Sequence, residues 1–313
     1  MKILVTGVAG FIGSATARVL LESGVDVVGV DSLITGEKSN IPEGVEFLEL
    51  DSSDPSVFRN RKFDGCIHFA GLIESGASMV EPARYYENNV VSTLILLKNL
   101  QLNNVDKVVF SSSAAVYGQT NTDKISENSP TNPSSVYGQT KLIIDETLDW
   151  LSRLNKIRSV SLRYFNATGS HLNFMENHRN ETHLIPIAID TALGKRGPLS
   201  IFGSDYDTKD GTCIRDYVHV SDLAAAHVSA LHFLDNSSRL CANLGSGKGF
   251  TNLEIIHAVE KCVGKEIPFS YAPRRIGDPP ILVADIATAG EKLLWTPKKT
   301  ILESIMDAVI SRM

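Results

Sequence analysis

A chain of 313 residues with 43% hydrophobic and 21% charged residues has the make-up of an ordinary soluble globular protein, with length for about two domains. Thirty Lys+Arg against 36 Asp+Glu leave a formal charge of -6, too mild and too evenly spread for a binder of nucleic-acid backbone. No apolar run approaches the roughly 20 residues that span a bilayer. The opening MKILVTG leads straight into a glycine-rich turn with no room for a cleavable leader, so a cytoplasmic protein with neither nucleic-acid nor membrane partners is expected. Cys66, Cys213, Cys241 and Cys262 form no Cys-x-x-Cys pair and have no histidines at zinc spacing, so they read as reduced thiols and no metal is expected.

In chain order, the first half alternates short apolar runs with longer helical patterns, as a parallel sheet covered by helices does. Strands are expected at Ile3–Thr6, Val25–Asp31, Val45–Leu50, Gly65–Ala70, Lys107–Ser112 and Ser159–Tyr164, all rich in Val, Ile, Leu or Phe. Helices are expected near Gly13–Ser23, Ala83–Asn103 and Val136–Asn155. The pattern predicts an α/β fold, a doubly wound parallel sheet of Rossmann-like type, over residues 1–165. After Tyr164 come glycine- and asparagine-bearing loops, helices near Leu184–Leu193, Asp222–Leu234 and Asn252–Val263, and a run Arg215–Val220. Residues 166–313 therefore read as a smaller, irregular α/β substrate domain, with crossings of the chain back to the first domain left open.

The first expected strand runs into Gly7-Val8-Ala9-Gly10-Phe11-Ile12-Gly13, followed by an amphipathic helix. Glycines there let the chain turn tightly, approach a pyrophosphate and seat the helix against the strand, with the positive helix end toward the phosphates. Asp31 closes the second strand at about the 20-residue spacing at which an acid accepts from a ribose 2'-hydroxyl and repels a 2'-phosphate, which favours NAD over NADP. The Gly-x-x-Gly-x-x-Gly spacing resembles the short-chain dehydrogenase/reductase superfamily, in its extended branch given the length.

Tyr137-Gly-Gln-Thr-Lys141 falls in an expected helix, where residues four apart share a face, and Ile144, Leu148 and Leu151 continue the same stripe inward. An ammonium beside a phenol stabilises the phenolate and turns a poor base into a usable one, while Lys141 can also hold the nicotinamide ribose. Ser111-Ser112-Ser113 ends the preceding strand, where a hydroxyl can reach the same substrate oxygen. Taken singly, a tyrosine–lysine pair is more often a surface pair and a serine run a solvated turn. With the glycine turn, Asp31, the serines and the Tyr–Lys pair in the order of that superfamily, the resemblance implies the catalytic set Tyr137, Lys141 and Ser113.

Longer strings narrow the likeness: His68-Phe-Ala-Gly71, Tyr85-Tyr-Glu-Asn-Asn-Val90, Ser111 to Gly118, Leu162-Arg-Tyr-Phe-Asn166, Asp210-Gly-Thr212, Arg215-Asp-Tyr-Val-His-Val220 and Ala272-Pro-Arg-Arg-Ile-Gly-Asp278. The sequence resembles the UDP-glucose 4-epimerase family along nearly its whole length. The resemblance implies tightly held NAD and a UDP-hexose substrate. Tyr137 takes the 4-hydroxyl proton while the C4 hydride passes to NAD, the 4-keto sugar turns over while UDP stays anchored, and proton and hydride return to the other face. By position it implies that Phe11 and Ile12 line the pyrophosphate turn, Asp31 and Ser32 the adenosine ribose, Asp51 and Ser52 the adenine, and Phe69, Ala70, Gly71 and Asn88 the cofactor groove. Ser111, Tyr137 and Lys141 add to that groove, with Tyr164 and Phe165 beside the nicotinamide. For the nucleotide sugar it implies Ser113, Tyr137, Asn166, His183, Leu184, Ser200, Phe202, Arg215, Arg275, Asp278 and Leu282. Phe202 can stack on a uracil, and two arginines can neutralise a diphosphate.

Departures from the family pattern are Val8 for a glycine, Ile73 for a lysine, Ala77 for a glutamate and His183 for an asparagine. Leu282 stands for a bulky tyrosine, leaving room for a 2-N-acetyl group and thus an N-acetylhexosamine or dual-specificity epimerase as an alternative. A nucleotide-sugar 4,6-dehydratase would need a carboxylate beside the serine, where Ala114 and Ala115 stand. A non-catalytic NAD-sensing protein would have no use for all three catalytic groups. The expected helix Ala83–Asn103 is apolar on most sides, at Val90, Val91, Leu94, Ile95, Leu96 and Leu97, which with the Tyr137 helix suggests a four-helix homodimer interface, as the family forms.

Overall fold

The computed structural model describes residues 1–119, 122–171, 174–175, 181–275 and 278–313. Among these residues the first six strands are β1 (Lys2–Thr6), β2 (Asp26–Asp31), β3 (Glu46–Glu49), β4 (Gly65–His68), β5 (Lys107–Ser113) and β6 (Arg158–Tyr164). The remainder of the chain adds β7 (Asn166–Thr168), β8 (Ser170–His171), β9 (Phe174–Met175), β10 (Leu199–Phe202), β11 (Ile214–His219), β12 (Arg239–Leu244), β13 (Gly249–Thr251), β14 (Phe269–Ala272) and β15 (Ile281–Leu282). The helices are α1 (Phe11–Glu22), α2 (Ser75–Val80), α3 (Pro82–Tyr85), α4 (Ser92–Leu102), α5 (Val136–Arg153), α6 (Leu184–Ala192), α7 (Val220–Phe233), α8 (Asn252–Val263), α9 (Ala287–Leu293) and α10 (Ile301–Arg312). No described helix is long and apolar enough to cross a membrane.

Seven strands form one sheet in the order β12-β6-β5-β4-β1-β2-β3, every neighbouring pair parallel. Alternation along each strand builds two cores. Ile3, Val5, Val27, Ile67 and Val109 face α1 and α7 through Leu20, Leu223, Ala226 and Ala230. Leu4, Val28, Cys66, Val108 and Phe110 face α4 and α5 through Leu96, Leu100, Ile144 and Leu148. This is the doubly wound sheet that the alternating apolar runs predict. β12 is its seventh strand, drawn from the second half of the chain and paired with β6 from Arg239↔Ser159 to Leu244↔Tyr164. A third core joins α6, α8 and α10 to β10 through Ile189, Ile201, Ile256, Val259 and Ile305.

The expected helix Ala83–Asn103 forms as one continuous helical run through α3 and α4, widened between them into a π-helical stretch, Tyr86–Val91. The cause lies in Asn89, which is 4% exposed. Its amide clasps Leu72, accepting from the Leu72 N–H (2.8 Å) and donating to the Leu72 carbonyl (2.9 Å), and also donates to Thr140 (3.1 Å). A widened turn aims this side chain at the loop after β4, and such π turns recur where a helix serves a site.

Buried histidines give the fold an acid limit. His68, at the end of β4, lies between the Thr6 hydroxyl (2.6 Å) and the Thr93 hydroxyl (2.9 Å). Burial, aided by the Lys141 ammonium, holds it down to about 3, and burial holds His227 on α7 down to about 4. Both stay neutral in the folded chain while the unfolded chain takes up protons below about pH 6.5. Their stabilisation is therefore complete above that pH and falls by roughly 1.4 kcal/mol per pH unit per histidine on the way down to the folded values. The buried carboxyls of Asp31 and Asp216, raised by desolvation, act with the opposite sign and offset part of this. The thermal unfolding midpoint is expected to drop steadily from pH 6.5 to 4.5; a flat midpoint over that range would refute the buried-neutral assignment.

Candidate active site

The predicted site residues of the first domain gather at the carboxyl ends of the parallel strands, where open α/β sheets hold ligands. Gly7 leaves β1 in a left-handed conformation (φ +71°), and a Cβ there would lie 2.7 Å from the Ala70 nitrogen. At Gly13 a Cβ would stand 2.1 Å from the Gly7 carbonyl oxygen, whereas at Gly10 it would meet that same oxygen at 3.3 Å. Gly7 and Gly13 thus close the turn on itself. Val8 is absent from the residues of positive φ, so its place in the turn carries no backbone strain, and its methyls fill the space left by Gly29 on β2.

No side chain caps α1 at Gly10, and its first turn carries no acidic residue, which leaves the positive end of a twelve-residue helix to an anion. Asp31 reaches the same turn: its carboxylate accepts from Ala9 N–H (3.0 Å) and Leu33 N–H (2.9 Å), while burial pushes its carboxyl up against the pull of those bonds. Each oxygen keeps a lone pair for a ribose hydroxyl. Ser32 is exposed beside it, and at the end of β3 Ser52 is buried while Asp51 folds one oxygen onto Ser53. Phe69 lies against His227, with ring centroids 4.5 Å apart, and Ala70 and Gly71 continue past the turn. An uncapped helix end, a tight glycine turn and a carboxylate at that spacing fit a dinucleotide with a free ribose 2'-hydroxyl. Phe11 packs its ring against Ala15, Val220 and Ala224, with Ile12 half-buried beside them, so the pair contributes backbone to the turn.

Tyr137 and Lys141 occupy the first turns of α5. Ser135 caps the helix by accepting from Gly138 N–H (3.1 Å), and the buried Ser78 of α2 accepts from Tyr137 N–H (3.0 Å). Gly138 lets α5 ride on the strand end, since a Cβ there would be 2.5 Å from the Ala115 carbonyl. This close approach sets the Tyr137 phenol beside Ser113. Burial holds the phenol above its ordinary value, the Ser113 hydroxyl beside it pulls it down, and Tyr85 nearby pushes it up. Lys141 is 4% exposed, donates to the Ser111 carbonyl (2.7 Å), and carries its charge 4.9 Å from the Phe110 ring centre and 5.9 Å from that of Tyr137. Burial brings it down to about 8, opposed by Asp145. Ser111 hydrogen-bonds the Tyr164 phenol, so all three expected catalytic groups and two cofactor-side residues share one corner. A phenol, a hydroxyl and a buried ammonium so arranged can take a proton from a substrate hydroxyl and give it back.

On the substrate side, Arg215 of β11 donates to the carbonyls of Ile214 and Pro279 (2.9 Å each) and stands 3.8 Å from Asp278. Arg275 lies over the Phe202 ring at 4.0 Å, already covering one face of it. Asn166 on β7 donates to the Asp216 carbonyl (3.1 Å), and His183 is bonded to Glu181 (2.9 Å) just before Leu184 opens α6. Ser200 is exposed on β10. Leu282 sits opposite Arg215 in the β15–β11 ladder and packs into a cluster with Phe165, Ala114 and Leu142, next to the catalytic corner. Ile276 and Gly277 of the Ala272–Asp278 string lie outside the described residues.

Asn88 is half-buried in the π turn, while its neighbour Asn89 makes the contacts that shape the loop after β4. Sequence reasoning missed Asn89 and Ser78, because neither sits at a recognisable spacing. It also missed an internal ion pair, Asp145–Arg163, behind Lys141.

Together the sheet, the glycine turn and the Tyr137–Lys141 pair define a dinucleotide-dependent enzyme of proton and hydride transfer. A model of the NAD dependent epimerase/dehydratase family matches residues 3–244, and the chain belongs to that family. It is 43% identical to a UDP-glucose 4-epimerase of Halalkalibacterium halodurans, over 98% of this chain and 94% of that one. Among solved structures, the UDP-glucose 4-epimerase of Bifidobacterium longum in complex with NAD+ and UDP is similar at a TM-score of 0.94 and 36% identity, covering 100% of this chain and 98% of that one. The UDP-Glc/GlcNAc 4-epimerase of Campylobacter jejuni is similar at 0.87 and 40%, covering 98% and 97%.

Proposed function

We propose that this protein is an isomerase, an NAD-dependent 4-epimerase of UDP-hexoses. The observation that carries the reading is Lys141, buried and held on the Ser111 carbonyl at 2.7 Å with its charge 5.9 Å from the Tyr137 ring centre beside Ser113, set next to a turn built for a dinucleotide. NAD, when bound, supplies the acceptor and later the donor of the C4 hydride. Tyr137 removes the 4-hydroxyl proton and returns it, Ser113 holds the reacting oxygen, and Lys141 favours the phenolate through its charge. Arg215 and Arg275 hold the diphosphate and Phe202 the uracil, so that the sugar alone is free to turn. Residues 1–165, with α7 and β12 laid on the same sheet, serve the cofactor, and most of residues 166–313 serve the nucleotide sugar.

Ala114, 3% exposed, and Ala115 follow Ser113 where a 4,6-dehydratase needs an acid/base pair, which favours epimerisation. Leu282 favours a second substrate, a UDP-N-acetylhexosamine, because it is smaller than a tyrosine and borders the catalytic cluster. A second copy of the chain covers α4 and α5: Val91, Leu94 and Ile95 are 50%, 41% and 41% exposed, and Trp150 of α5 is 61% exposed. Sedimentation giving the mass of a single chain would remove that dimer.

The test is chromatographic separation of products after incubation with UDP-galactose and, separately, UDP-N-acetylgalactosamine, with and without added NAD. Conversion of both to their 4-epimers is expected. Conversion of UDP-galactose alone would discard the open pocket, and conversion of neither by folded protein with NAD would discard the epimerase.

A further inference from the structure

Behind the catalytic corner lies a polar network that the mechanism above does not use. Asp145 follows Lys141 by one turn of α5 and is 6% exposed. One of its oxygens accepts from Arg163 Nε (2.8 Å) and from the Ser112 hydroxyl (2.9 Å), while the other, also buried, has no hydrogen-bond partner among the described residues. Arg163 is held in turn by the Tyr117 phenol (3.1 Å), which donates to Asn243 (2.7 Å) on β12. The last three residues of β5 thus meet three turns of α5: the Ser111 carbonyl takes Lys141, the Ser112 hydroxyl donates to Asp145, and Ser113 lies beside Tyr137.

A buried carboxylate with an oxygen to spare is expensive unless its charge is used. The groups around Lys141 leave one that supports its charge. His68 of β4 is neutral and pushes the ammonium no further toward its charged form, Tyr85 of α3 and Tyr164 of β6 are phenols, and Cys241 of β12 is a thiol pushed up by burial. Arg163 is a cation, and burial of Lys141 itself favours the neutral amine. Asp145 is the carboxylate that opposes that burial.

We propose that Asp145, pinned by Arg163 and Ser112, is a positioning residue for the reaction: it keeps Lys141 in the ammonium form beneath Tyr137 and locks α5 in register on β5. It acts through Lys141 and touches neither cofactor nor sugar. The proposal rests on the epimerase reading for its kinetic consequence, though not for its effect on the phenol.

Without the carboxylate, Lys141 loses its proton within the neutral range, Tyr137 loses the adjacent cation, and the phenolate forms only at higher pH. Asp145→Asn, purified with NAD, is expected to lower kcat for UDP-galactose about tenfold or more at pH 7 and to move the acidic limb of the kcat–pH profile up by about one unit. KM is expected to stay within about twofold, and Asp145→Glu to restore most of the rate. Tyrosinate absorbance of the NAD-loaded protein, titrated with base, should shift in the same direction without turnover.

Because Asp145→Asn leaves Arg163 buried and unpaired, Asp145→Asn/Arg163→Gln removes both charges, and the shift should persist in it. A folded, NAD-retaining variant with the parent's acidic limb and tyrosinate titration overturns the proposal. So does failure of both variants to fold, which would make the pair purely structural. If the parent itself epimerises no UDP-hexose, the functional reading falls, and the tyrosinate titration alone decides the role of Asp145.

Discussion

Tyr137→Phe is expected to reduce kcat by about 10²–10⁴-fold, the range for loss of a positioned acid/base group. In energy this is about 3–5 kcal/mol at the transition state. The fold should be nearly indifferent to the change. The backbone N–H of residue 137 keeps its bond to Ser78, Ser135 still caps α5, and the freed Ser113 hydroxyl keeps its bond from Ala115 N–H (3.2 Å). NAD content and binding of UDP, measured by equilibrium titration, should therefore stay close to the parent's, since the ring of residue 137 and the pyrophosphate and uracil contacts remain. A Phe variant that retained more than about a tenth of the parent's kcat would show that another group moves the proton.

The second large effect is expected at the glycine turn, where two alanine substitutions should separate folding from cofactor binding. In Gly13→Ala the new methyl meets the Gly7 carbonyl at 2.1 Å, backbone against backbone, and neither can yield without moving α1 from β1. That packing holds Leu20 and Ala17 on the first core, so a loss of roughly 2–4 kcal/mol of stability is expected along with loss of NAD. Gly10→Ala meets the same oxygen at 3.3 Å, which a small shift relieves, so its unfolding midpoint should lie close to the parent's. Its methyl nevertheless stands at the uncapped start of α1, where a pyrophosphate must approach backbone, and NAD affinity should fall by at least tenfold. Differential scanning calorimetry with and without NAD measures both terms. Equal destabilisation by the two substitutions would remove the distinction between turn closure and ligand approach.

The elements that read correctly from the chain are those whose signal is local. β1, β2, β4 and β5 are buried on both faces and each carries a short unbroken apolar run, Ile3–Val5, Val27–Val28, Cys66–Ile67 and Val108–Phe110, while α5 carries its buried stripe at Lys141, Ile144 and Leu148 in the helical period. The glycine turn is legible because no side chain fits at Gly13, 2.1 Å from the Gly7 carbonyl, or at left-handed Gly7, 2.7 Å from the Ala70 nitrogen. β12 was not legible: Arg239–Leu244 mixes a charge, a cysteine and an asparagine, and its place beside β6 depends on a partner some eighty residues away. The widening between α3 and α4 escaped for a similar reason. Its residues suit a helix, and the widening comes from what Asn89 finds across the groove at Leu72 and Thr140.

By itself the sequence determined the class of fold and the sheet-forming runs of the first half, and it singled out Asp31 for a ribose-bearing dinucleotide and Tyr137, Lys141 and Ser113 as the proposed reacting set. These rest on spacing, which backbone geometry turns directly into shared faces and tight turns. Only the tertiary structure decided how these residues are tuned: that Gly138 lets α5 close onto Ala115, that Ser78 steadies Tyr137, that Arg275 covers one face of Phe202, and that Asp145 and Arg163 stand behind Lys141. Such contacts join strands and helices far apart in the chain. Their strength comes from desolvation, which no single segment possesses before the sheet and its helices have closed around it.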